Sequence, residues 1–98
     1  MTTAEIYKDV KATNQELSQV LKQLGFKDLS TDKAFHFVHK SGKQELVFEA
    51  GNPESPVQKI YFPMFAYRLF MQGIIENEGV LKAMLEKNRE KKQAPASQ

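Results

Sequence analysis

The sequence contains no cysteine and no tryptophan, and it has only two histidines and four prolines. The missing cysteine excludes a disulfide framework, a thiolate metal site and a thiol nucleophile. His36 and His39 cannot make a typical zinc site by themselves, and nothing in the pattern calls for a metal or another cofactor. No glycine-rich phosphate loop, HExxH pair or serine elbow occurs, so an enzyme reading has no motif behind it. No stretch approaches the roughly 18–20 apolar residues that span a bilayer, so no membrane partner is expected. The N-terminal run MTTAEIYKDVKA is polar and carries acids, unlike a signal peptide. A cytoplasmic location is the resulting expectation. Neither charge sign dominates: 14 Lys and Arg stand against 12 Asp and Glu, a formal net charge of +2.

What is present suits one folded domain. Of the 98 residues, 41% are hydrophobic and 27% charged, ordinary values for a soluble globular chain. The basic balance is unevenly placed. Residues 87–98 sum to +3 and residues 1–86 to −1. We read 1–86 as a single α+β domain and 87–98 as a basic, polar end, partly helical and then disordered. The broad basic face expected of an RNA-binding body is not visible.

The first 24 residues carry an apolar stripe at helical spacing: Ile6, Val10, Leu17, Val20, Leu21 and Leu24. Two capping boxes compete within it, Thr2–Glu5 and Thr13–Glu16. Either one long helix runs through, or a short helix breaks and a second starts at Asn14. Gly25 then stands where a left-handed C-terminal residue is needed, followed by Phe26. Ala34–Lys40 and Glu45–Ala50 alternate as strands around a Ser41-Gly42 turn. Asp28–Ser30 reads as a short extension ahead of them. Val57–Phe62 reads as the third strand, with Ile60 and Phe62 toward the core, after a loop rich in breakers. Pro63 ends the sheet and opens a helix over Met64–Gln72 that is apolar nearly all round. Asn77 suits the N-cap of a last helix striped by Val80, Leu81, Met84 and Leu85. The expected fold is α+β: an N-terminal helix, a three-stranded antiparallel meander, and C-terminal helices on one face.

His36 and His39 lie three apart on one strand, so they face opposite sides and cannot form a dyad. His39 ends the core side near the rim. His36 lies on the open side, either in a cross-strand pair with Glu45 or Glu49 or as a general base. Lys59 and Tyr61 would neighbour those glutamates on the third strand. Lys33, Lys40, Lys43 and Lys59 are the cations placed to meet nucleic-acid phosphates. The run Phe62–Met71 is either core filling or an interface, with Phe65, Tyr67, Arg68, Phe70 and Met71 as contact residues. The basic run Lys87, Arg89, Lys91 and Lys92 is a second candidate surface, weakened by Glu90.

The segments ELSQVLKQLGF (16–26), Phe37-Val38-His39, Phe62-Pro63 and Gly79–Leu85, in that order, resemble the HicA/YcfA-like toxins. They cover about half the chain. The resemblance implies an α-β-β-β-α fold similar to double-stranded-RNA-binding domains, mRNA interferase activity, and an antitoxin-like partner. The family's catalytic histidine falls on Ala34 here and its serine on Lys33. His36 lies two residues on, on the same strand face, as a displaced candidate. The implied function is an RNA-associated module without efficient nuclease activity. The alternative, read from the residues, is a protein-interaction or regulatory module, a homodimer among its forms, that uses the apolar 62–71 surface.

Overall fold

Capping decides the N-terminal third of the chain. The computed structural model describes residues 2–49 and 52–93. Both capping boxes form, so the single long helix is not what the chain adopts: α1 spans Thr3–Ile6 and α2 spans Asn14–Gln23. Between them Tyr7, Val10 and Ala12 are buried by a non-helical path. The breaker-rich loop docks on the start of α2. The Asn14 and Gln15 N–H groups donate to the Ser55 and Pro53 carbonyls at 2.9 Å each, and the Glu16 N–H donates to Thr13 Oγ1 at 3.1 Å. These are the donors a helix leaves without partners in its first turn. At the far end Gly25 has φ +96°, a conformation glycine adopts at low cost, and Phe26 behind it is buried.

The sheet is a three-stranded antiparallel meander, β1 (Phe26–Asp28), β2 (Ala34–His39) and β3 (Glu45–Glu49), in the order β1-β2-β3. The registers set Phe26 opposite His39, Phe37 opposite Leu46, and His36 opposite Val47. Alternation sends Phe26, Phe37, Leu46 and Phe48 into the core. The opposite face carries Lys27, His36, Val38, Glu45 and Val47. Ala50, expected in the last strand, lies outside the described residues.

One strand was expected in the wrong place. Val57–Phe62 does not join the sheet; Phe26–Asp28 takes the third position, on the other edge. Pro56 forms an isolated bridge with Thr13, and the Val57 N–H donates to Ala12 O at 2.8 Å. The chain then turns through Gln58–Ile60 and enters α3, Tyr61–Met71. Pro63 forfeits no hydrogen bond in the first turn of α3, and the placement is decided by the Ala12–Thr13 segment, which takes up the backbone of Pro56 and Val57. Phe62 reaches the core as expected, but Ile60 is 67% exposed rather than buried. Lys59 and Tyr61 accordingly do not flank Glu45 and Glu49.

α3 closes the core over the sheet. Phe62, Phe65 and Leu69 are wholly buried, and the Phe48 ring lies 5.3 Å from Phe65, 5.4 Å from Tyr61 and 5.0 Å from Phe35. Each fully buried side chain of this size contributes about 1.5–3 kcal/mol. α4, Val80–Gln93, adds Leu81 and Leu85. Asn77 acts just ahead of it rather than as its flanking residue: Asn77 Oδ1 accepts from the Gly79 N–H at 2.9 Å. The helix runs past Lys87, where apolar periodicity ends. Residues 94–98, within the part expected to be disordered, lie outside the described residues. Among the described residues no helix is long and apolar enough to cross a membrane.

Candidate functional site

The two histidines take different roles. His39 Nε2 donates to the Leu24 carbonyl at 3.0 Å. A carbonyl can only accept, so the proton sits on Nε2 and leaves Nδ1 to accept from the Ser41 N–H at 3.2 Å. His39 therefore ties the end of α2 to the β2–β3 turn. His36 lies on the open sheet face, where its Nε2 meets the Glu45 carboxylate. Its main-chain N–H donates to Ser30 Oγ at 2.9 Å. Ser30 in turn supports Asp28. Partial burial pushes the Asp28 carboxyl up, but hydrogen bonds from Ser30 and the Lys22 ammonium at 3.9 Å outweigh it and hold the group below its ordinary range. A histidine–carboxylate pair can orient an imidazole for proton transfer. Its nearest strand neighbours on this face, Ala34, Val38 and Val47, bring no donor for a developing oxyanion, and Lys27, opposite Val38, stands diagonal to it. Among the described residues no three of His, Asp and Glu group to hold a metal ion.

The four candidate lysines do not form one patch. Lys33 precedes β2, while Lys40 and Lys43 follow it. A six-residue strand, Ala34–His39, spans about 20 Å between those ends. Lys59 lies apart in the turn before α3, its Nζ donating to Lys8 O at 3.4 Å. Lys40 and Lys43 share a cleft, of about 390 Å³, with Leu24, His39, Ser41 and Ile74. Lys27, which sequence reasoning passed over, is the one exposed lysine standing in a strand on the His36 side.

Arg89 is not a free tail cation. Its Nη1 donates to Lys11 O at 2.9 Å, and its Nε stands 3.9 Å from the buried Glu16 carboxylate. It pins α4 against the segment leading into α2.

The α3 candidates separate by face. Phe65 is wholly buried and belongs to the core, so it is not available to a partner. Tyr67 (52%), Met71 (59%) and Phe70 (38%) are exposed, as is Arg68. Ile60 (67%) joins them, and half-buried Met64 lies between. Ile60, Met64, Tyr67 and Met71 recur at four, three and four residues, a spacing present in the sequence but hidden while Val57–Phe62 reads as a strand. The core uses the opposite stripe of the same helix, Phe62, Phe65, Ala66 and Leu69. α3 is thus apolar on both its buried and its solvent faces.

Searches against protein-family models, curated proteins and solved structures find no match to this chain.

Proposed function

We propose that this protein is an interaction module whose working surface is the outward face of α3. The observation that carries this reading is the exposure of Ile60, Tyr67, Phe70 and Met71 on, and just before, a helix whose other face already fills the core. Aromatic residues and methionine are the types enriched where proteins meet, and a cluster of this kind marks a contact surface more often than chance.

An RNA-associated module without efficient nuclease activity, the function implied by the resemblance to HicA/YcfA-like toxins, is the second reading. Its support is the pairing of Lys40 and Lys43 beside one cleft. Against it stand the scatter of Lys33 and Lys59 and the Glu45 carboxylate beside His36.

One experiment separates the two. The tagged chain is recovered from cells with and without nuclease treatment, alongside Tyr67→Glu/Met71→Glu and Lys40→Glu/Lys43→Glu variants. The interaction reading expects a nuclease-resistant protein, a further copy of the chain included, that is lost only with the α3 variant. Nuclease-sensitive material lost only with the lysine variant would overturn it in favour of RNA.

A further inference from the structure

We infer that the occupant of the outward α3 face is a second copy of this chain, the two helices crossing antiparallel about a twofold axis near Tyr67. This rests on the interaction reading above and names the partner within it.

The middle of the stripe is nearly symmetric about Tyr67. Met64 lies three residues before Tyr67 and Met71 four after it, with Ile60 one turn further out. Ile74, past the helix end, is half-buried against the core beside Leu24 and His39 and is not part of the stripe. A twofold contact requires that residue i of one copy meet j of the other and the reverse. Here that pairs Met64 with the second copy's Met71 and Tyr67 with the second copy's Tyr67, leaving Ile60 at each end of the contact. Alternation of four and three is the spacing by which one helix presents a seam to another. Arg68, the only charged residue of α3, lies off the seam. In an antiparallel pair each helix also sets its positive end beside the other's negative end.

The area is sufficient for such a contact and not much more. Ile60, Tyr67, Phe70 and Met71 each expose on the order of 100 Å², so covering all four fully in two copies would remove roughly 800 Å². Pro63, Met64 and Arg68 at the margin bring the total to about the 1,000 Å² that a specific interface needs. An interface at the small end of the range belongs with weak, transient contacts. Residues 94–98 read Ala-Pro-Ala-Ser-Gln and hold nothing large and apolar with which to cover the stripe.

The cysteine-free sequence makes the test clean. Sedimentation of the full chain at about 5 µM and about 500 µM spans the range of a weak contact, and the mass should move from one chain toward two. Under mild oxidation Tyr67→Cys should form a covalent dimer, whereas Val47→Cys, exposed on the opposite sheet face, should not. Tyr67→Glu/Met71→Glu should stay monomeric with an unchanged circular dichroism spectrum. A dimer that cross-links through Val47→Cys as readily as through Tyr67→Cys overturns the inference. So does a chain monomeric at both concentrations, whether or not phosphatidylcholine vesicles then take up the exposed face. If the wild-type chain is monomeric yet holds a different protein that the α3 variant loses, the second copy is excluded and the interaction reading stands. If no protein is held either, both fall.

Discussion

Tyr7 shows how much of this molecule depends on single polar atoms. Its ring is buried and lies parallel to Phe62 at 6.3 Å. Its hydroxyl donates to Glu78 O at 2.5 Å and accepts from the Lys82 N–H at 2.9 Å. A residue from the N-terminal segment thereby caps the first turn of α4. Replacing it by phenylalanine leaves that N–H and that carbonyl without a partner, at a cost of about 1–3 kcal/mol in urea unfolding. The same variant changes the alkaline limb of stability. Burial pushes the phenol from 10.0 up to about 12, against the Lys82 N–H, which draws it down. The folded state therefore favours the neutral phenol. Its contribution is complete below pH 10 and fades as pH rises from 10 toward 12. Melting temperature against pH should show that decline in the wild type and a flatter limb in Tyr7→Phe.

At the scale of elements, the joint between the α2 entry and α4 is as local as the sheet is regular. Arg89 reaches across from α4 to Lys11 O and toward Glu16. Arg89→Ala should cost about 1 kcal/mol, since the guanidinium is partly solvated but the carbonyl and carboxylate it meets lose their donor; Arg89→Lys should recover part of this in the same chemical-denaturation series. The elements that sequence made legible are those whose signals are local. Thr13 with Glu16, Gly25 with Phe26, and the alternation through Phe35–Val38 and Leu46–Phe48 each act within a few residues. The elements it hid are those decided elsewhere. β1 has three residues, Phe26–Asp28, and exists because His39, Val38 and Phe37 stand opposite. Val57–Phe62 alternates like a strand, yet its partner is the Ala12–Thr13 segment and its latter half belongs to a helix. The candidate site divides the same way. The apolar excess of 62–71 is plain in the letters, but only packing assigns Phe65 to the interior and Tyr67 and Met71 to the exterior.

For the molecule as a whole, association and folding are linked. If two copies meet through α3, the folded dimer is favoured by mass action and the unfolded chain is not. Melting temperature should therefore rise with protein concentration in the wild type. It should be independent of concentration in Tyr67→Glu/Met71→Glu, as followed by calorimetry across a hundredfold range. A wild-type melting temperature that does not move with concentration would contradict the dimer.

The Tyr7 clasp has one more consequence, for the order in which the chain assembles. The hairpins of the sheet join neighbours, whereas the clasp joins positions 71 and 75 residues apart. Closing so long a loop is entropically costly and is favoured only once the intervening chain is already compact. On the ribosome, Tyr7 emerges early but finds its partners only after Glu78 and Lys82 have been synthesised. The N-terminal segment is thus made ahead of these partners and locked only once they have arrived.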